Sequence, residues 1–340
     1  MHRKGTFKQL QQLIDRRVTA ARRLRQHWLS SRDASSPRLW CGALSIVLLA
    51  FPLPLSVGIG STSALVQTAN LLAPSAILLA RKDNTARKDN ATREDNADSL
   101  QAIAQAQVVY LGETHSDRAD HAAQLEIIQA MAERGEVAIA LEMFQRPFQA
   151  QLDAYIADEL SEAELIVESE YETRWGFDWE LYAPILRYAK ANQIPLIALN
   201  TPAEVTRQVA QTGLESLDGD ALTHIPPLAD IDTGNEAYRT WMNDVFSAHA
   251  GEGHSLDFEN FFAAQVLWDE TMAERVVQQL ESEPARQVIV LAGEGHIAYG
   301  YGIPSRVMRR VPDIKQVSVQ LLGADEATRA GLADFFWITD

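Results

Sequence analysis

The sequence predicts an α/β fold for residues 99–340: a mostly parallel central sheet flanked by helices, with a helical insertion at 213–262. Two observations predict it. Short β-branched runs alternate with amphipathic segments, as they do when helices cover a parallel sheet. Four of those runs also stop at a glycine or a polar residue, and in an open parallel sheet these carboxyl ends share one edge.

The elements follow in order. Val108-Val109-Tyr110-Leu111 reads as the first strand. A helix from about Asp120 to Arg134 carries Leu125, Ile128 and Met131 at helical spacing. Val137 to Leu141 is the second strand, helices run through 147–169 and 179–192, and Ile194 to Leu199 is the third strand. Residues 202–212 are helical. Pro226, Pro227 and several glycines mark 213–256 as an insertion or cap. A long helix from about Phe258 to Glu281 returns to the core, followed by the strand Val288–Leu291, a short helix at 305–310 and a strand at about Val317 to Leu321.

The chain before this domain is organised differently. Residues 1–38 form a basic segment with helical periodicity, and residues 1–40 hold ten Lys/Arg against two acids. Residues 39–64 read as a signal peptide or membrane anchor. Leu39 to Ile59 is uncharged and apolar, about the roughly 20 residues a span requires. Basic residues ahead of such a run keep the N-terminus cytoplasmic and place the rest across the membrane. Thr62-Ser63-Ala64 offers small residues for cleavage, and Pro52 and Pro54 suit a signal, whereas the long basic start suits a retained anchor. Cys41 stands at the start of the run, the wrong place for lipidation. Residues 65–98 read as a disordered linker, because ARKDNT-ARKDNA-TREDNA is polar and charge-balanced and has too little apolar surface to offset chain entropy.

Composition excludes several classes. One cysteine permits no internal disulfide and no Cys-based zinc or iron–sulfur site. Residues 99–340 carry 15 basic and 39 acidic residues, so nucleic acid is not an expected partner.

The strand ends hold the chemistry. The first ends in Gly112-Glu113-Thr114-His115, the second in Glu142-Met143-Phe144, the third in Asn200 and the fourth in Gly293-Glu294-Gly295-His296. Two G-E-x-H tetrapeptides at strand ends make a pair of half-sites. A carboxylate transfers protons or binds a metal, and an imidazole does either near neutral pH. Glu113, His115, Glu142 and His296 are therefore the candidate catalytic residues, with Glu113, His115 and His296 as candidate ligands for a divalent metal such as Mn²⁺. The bland alternative is that Glu113 and His115 cap the next helix and His296 is a satisfied buried histidine. His121 follows His115 closely enough to face the same pocket. Gln265, Trp268, Asp269 and Met272 share a helix face on which Asp269 suits a hydrogen-bond anchor. Tyr299, Tyr301 and Arg306 sit in a glycine-rich turn. Trp175, Trp179 and Tyr182 form an aromatic cluster of the kind usually found in a core. No serine nucleophile elbow is present, which disfavours a serine esterase.

Taken in order, LGETHSDRADH, ALEMF, ALN, FFAAQVLWDETMA and LAGEGHIAYGYGIPSRV resemble the ChaN-like family of haem-binding proteins. That family shares a superfamily with Tiki metalloproteases, TraB-type proteins and erythromycin esterases. The resemblance covers about residues 100–323. It implies an EreA/ChaN-like α/β fold, an exported or membrane-attached location with the folded domain on the non-cytoplasmic side, and haem bound between two copies of the chain with tyrosine or histidine on the iron. Glu113, His115, Glu142, Gly293 and His296 match the shared core. The iron ligand would come from the variable middle, where Tyr238, His249 and His254 are the candidates and Arg306 a cation for the propionates. The chain departs from the family in lacking a lipobox and in having the basic extension and the repeat, so lipid anchoring and an uptake role do not carry over directly.

Three functions follow: haem binding, a metal-dependent hydrolase acting on an ester or peptide, and a surface protein with a vestigial site. The first needs an aromatic face, an axial ligand and cations for the propionates. The insertion offers the aromatic residues, while the acidity of the domain works against a dianionic ligand.

Overall fold

The computed structural model describes residues 93–249, 257–323, 326 and 328–339. The basic segment, the apolar run, the first two hexapeptides and His254 lie outside the described residues, as does the side chain of His249.

Six strands form one sheet in which every pair is parallel: β1 (Val108–Glu113), β2 (Val137–Gln145), β3 (Leu196–Asn200), β4 (Gln287–Gly293), β5 (Gln316–Gly323) and β6 (Phe335–Thr339). Their spatial order is β3-β2-β4-β1-β5-β6. The sixth strand, FFWIT, is an apolar run to which the sequence reading assigns no strand. It exists because β5 offers an edge and Trp337 fills the core.

Strand side chains alternate between faces, and the two faces bury different helices. Val109, Leu111, Ile139, Leu141, Ile289 and Leu291 pack under α2 (Arg118–Ala132), α3 (Gln149–Ile156), α4 (Glu162–Glu168) and α6 (Trp179–Ala191). Val108, Tyr110, Ala138, Ala140, Val288 and Val290 pack under α9 (Phe258–Ser282) and α10 (Ile303–Arg310). Asp117 starts α2 by accepting from the Ala119 N–H, and Asp257 starts α9 by accepting from Glu259 and Asn260. Each cap satisfies donors that the first helical turn leaves free.

A third apolar cluster joins α7 (Ala203–Thr212), α8 (Glu236–His249) and the start of α9. The expected insertion at 213–262 is therefore two things. Residues 213–235 form an irregular cap with short 3₁₀ turns, residues 236–249 are helix α8, and residues 258–262 already belong to the core element α9. The short helix α5 (Tyr171–Arg174) completes the segment before α6.

The linker expectation needs one correction. The third hexapeptide is helical from Arg93, within α1 (Arg93–Ile103). Asn96 donates to the Ile338 carbonyl and accepts from the Ile338 N–H, which ties this helix to β6. Low apolar content does not leave a segment unfolded when a long-range contact orders it. Among the described residues, no helix is long and apolar enough to cross a membrane.

Candidate functional site

The four expected strand ends do meet at one edge. β1 and β4 are neighbours, with Glu113 in register with Gly293. The chain leaves β1 toward α2 on one face and β4 toward α10 on the other. A crevice at the carboxyl ends of such strands is where open α/β sheets bind ligands.

The two carboxylates nevertheless take opposite faces. Glu113 continues the Val109–Leu111 side, Glu142 the Ala138–Ala140 side. Glu113 is fully enclosed: one oxygen accepts from His115 Nδ1 at 2.8 Å and the Tyr182 hydroxyl at 2.6 Å, the other from Gln124 Nε2 at 2.6 Å. His121 stands 3.6 Å from the same carboxylate, between Gln124 Oε1 and the His115 carbonyl. Burial alone would raise the Glu113 pKa. The His115 hydrogen bond, the charges of His121 and His115 and the Tyr182 hydroxyl outweigh it and hold the group down at about 2.

Glu142 is equally buried on the other face. It accepts from the Gly293 N–H at 2.6 Å, and its other oxygen lies 3.4 Å from His296 Nε2. His296 Nδ1 donates to Asp269 at 2.7 Å, with the Gln265 amide 3.1 Å away. Asp269 in turn accepts from the Tyr238 hydroxyl at 2.8 Å. The helix-face spacing that marked Asp269 as an anchor is thus realised. Burial works against charge on His296, but Glu142 and Asp269 on either side push it up to about 10. Burial likewise opposes the charged form of His115, and the Glu113 hydrogen bond with the Glu142 charge raises it. Glu142 is lowered against its burial by His296 and His115.

Gly293 is what lets the halves approach. A Cβ there would lie 2.7 Å from His115 Cε1 and 2.8 Å from His115 Nε2, inside van der Waals contact. Trp175 meets the His115 ring edge-on at 4.7 Å and Phe177 lies at 4.9 Å. Trp175 and Tyr182 are buried core residues, and Tyr182 also serves the Glu113 network. Glu142, Arg174, Trp175, Asn200, Thr201 and Trp268 border an open recess at the ends of β2 and β3.

Two further carboxyls behave differently. Burial pushes Glu294 up to about 7, and Asp120 up to about 7 despite its hydrogen bond from the Thr114 N–H. A carboxyl raised by folding stabilises below its ordinary pKa, and that contribution is lost as pH rises through the folded value. Glu294→Gln should therefore match the parent protein near pH 4 and exceed it by about 1–2 kcal/mol at pH 8, after allowance for partial solvent access. Urea melts at the two pH values measure this; equal gaps at both would refute it.

The site residues expected from sequence divide. Glu113, His115, Glu142 and His296 converge, joined by Asp269, Tyr182, Gln124 and His121. Of these partners Gln124 and Tyr182 were not legible as a site, because a buried glutamine or tyrosine on a helix carries no motif. Among the described residues, no group of three or more His, Cys, Asp and Glu is arranged to hold a metal ion. Two expected haem contacts lie in the interior. Tyr238 is 0% exposed and its hydroxyl is given to Asp269. Arg306 is 2% exposed, with its guanidinium against Glu270, Asp269 and the Tyr301 and Gly302 carbonyls. Both are interior groups: the Tyr238 hydroxyl is given to Asp269, and the Arg306 guanidinium faces Glu270 and Asp269.

A half-buried aromatic surface does stand beside them. The Trp241, Tyr299 and Tyr301 rings lie 5.5 to 6.4 Å apart, with Tyr238 beneath Tyr301 at 6.0 Å.

Residues 99–307 match the family described as haem-binding uptake, Tiki superfamily, ChaN. A solved structure described as cofacial heme binding to ChaN of Campylobacter jejuni is similar at 19% identity with a TM-score of 0.57, covering 71% of this chain and 90% of that one. That likeness shows the shared fold. Protein RETICULATA-RELATED 5, chloroplastic, of Arabidopsis thaliana is 27% identical over 260 residues, covering 70% of this chain. The chain spans 34% of that relative's length.

Proposed function

The chain belongs to the haem-binding uptake, Tiki superfamily, ChaN family, and from that premise we propose that it binds haem and acts in haem handling at a membrane. The family match carries the proposal. The half-buried cluster of Trp241, Tyr299 and Tyr301 supports it, because it offers aromatic area against which a porphyrin can pack. Haem would supply an iron centre as cargo or cofactor; the chain's own part is to bind, orient and shield it.

The buried networks fit a supporting role. Both oxygens of Glu113 already accept hydrogen bonds, and His296 is held between two carboxylates. Such an arrangement fixes the loops that leave β1 and β4, and the second of these carries Tyr299 and Tyr301. No observation favours a metal-dependent hydrolase over this reading. Location is part of the proposal: the basic start followed by the apolar run Leu39–Ile59 favours export or anchoring, with the folded domain on the non-cytoplasmic side.

The test is a titration of the full chain, purified in mild detergent, with ferric haem. Saturable growth of a shifted Soret band at one haem per chain is expected, with light scattering to report whether two chains share the ligand. Absence of any saturable change under oxidising or reducing conditions would remove the proposal.

A further inference from the structure

The sheet has two outer strands, β3 and β6. An outer strand presents a row of backbone donors and acceptors with which a further strand can pair. A side-chain amide meets each of the two. On β3, Gln149 Nε2 donates to the Leu196 carbonyl and the Ala198 N–H donates to Gln149 Oε1, both at 2.8 Å. On β6, Asn96 Nδ2 donates to the Ile338 carbonyl at 3.4 Å and the Ile338 N–H donates to Asn96 Oδ1 at 3.2 Å. A primary amide carries the donor and acceptor of a peptide group, so each side chain stands where the next strand would.

The two are not equally secure. Gln149 makes short bonds, and Arg275 donates to its Oε1 at 3.2 Å. The Asn96 bonds are longer than the roughly 2.9–3.0 Å common for N–H···O contacts. Asn96 is the asparagine of the third hexapeptide and lies in the first turn of α1, where a helix opens at least cost. The other end of α1 is anchored by Ile103, which is fully buried in the core. The amide can therefore leave β6 while the helix keeps its place.

The bonds on β6 also point to an occupant. Ile338 gives both its N–H and its carbonyl to one facing group, which is the hydrogen-bonded pair of an antiparallel ladder. Ile338 is its own complement for such a pair: two copies related by a two-fold axis exchange both bonds between their Ile338 residues. Phe335–Thr339 contains no charge and no proline, the residues that ordinarily spoil edge pairing.

We propose that the outer edge of β6 is an antiparallel pairing surface for β6 of a second copy of this chain, and that Asn96 keeps it closed. The inference is independent of the haem reading.

The experiment takes the full chain, free of haem and in mild detergent, as wild type, Asn96→Ala and the double variant Asn96→Ala with Ile338→Pro. Sedimentation gives the protein mass, hydrogen exchange reports the Ile338 amide, and circular dichroism confirms folding. Asn96→Ala is expected to reach twice the wild-type mass as concentration rises. Its Ile338 amide should exchange fast when dilute and slowly when concentrated. Ile338→Pro removes the N–H that the pair needs, on an outer strand where proline is tolerated, and should restore the wild-type mass. If Asn96→Ala keeps the wild-type mass at every concentration, or if the double variant associates as strongly, the β6 edge is not the pairing surface. Should Asn96→Ala fail to fold, Asn96→Asp is read in the same way, since it keeps an acceptor for the Ile338 N–H and loses only the donor.

Discussion

Replacing Gly302 with alanine is expected to destabilise the protein by about 3 kcal/mol or more, among the largest effects of any single methyl group in the fold. The added Cβ would lie 2.2 Å from the carbonyl oxygen of His296 and 2.7 Å from its carbonyl carbon, and 3.0 Å from Asp269 Oδ1. Two of those neighbours are backbone, and the backbone there is held from both sides. His296 is clamped by Asp269 and Glu142, and Gly302 itself opens α10. The φ of −79° and ψ of −119° also fall outside the basins that an alanine prefers. Gly135, where nothing lies within 4 Å of an added Cβ, is the matched control. The expected result is a large drop in the urea midpoint for Gly302→Ala, at unchanged slope, and a small change for Gly135→Ala. Similar midpoints for the two variants would show that the His296 turn yields, and that the enclosed site is softer than drawn.

Asp269→Ala should cost about 3–5 kcal/mol, since it leaves a buried imidazolium and a buried tyrosine hydroxyl each short of a partner. Asp269 is 0% exposed and serves both, so no water replaces it without rearrangement. The pH dependence separates this from simple loss of packing. His296 is raised by folding from its ordinary 6.5 to about 10. The folded state therefore binds the proton more tightly than the unfolded chain. Its stabilisation is complete below about pH 6.5 and is lost as pH rises toward 10. The wild type should lose several kcal/mol across that window. Asp269→Asn, which keeps the shape but removes a charge, should lose markedly less, because His296 then retains only Glu142. Parallel stability curves for wild type and Asp269→Asn between pH 6 and 10 would contradict the assignment of this imidazolium.

The residues that read correctly from the sequence did so through local pattern. Val108–Leu111, Val137–Leu141 and Val288–Leu291 announced strands because burial on both faces demands apolar runs, and the polar tetrapeptides after them announced an edge. The Gln265, Trp268, Asp269 face was visible because helical period is a local property. Tyr182 and Gln124 were not visible as partners of Glu113, since they meet it only when α6 and α2 close over one face. Tyr238 and Arg306 have the composition of ligands, and only packing places both in the interior. The third hexapeptide has the composition of a linker but is helical from Arg93, because Asn96 meets Ile338 at the far end of the chain.

By itself the sequence determined the α/β class, the strand ends that carry Glu113, His115, Glu142 and His296, and the family. Each of these follows from short-range periodicity or from ordered motifs. Only the tertiary structure decided that Glu113 and Glu142 lie on opposite faces of the sheet and that Gly293 is the gap through which His115 reaches across. These depend on strand order and on which helix covers which face, so they arise from contacts between residues far apart in the chain, which no local pattern encodes.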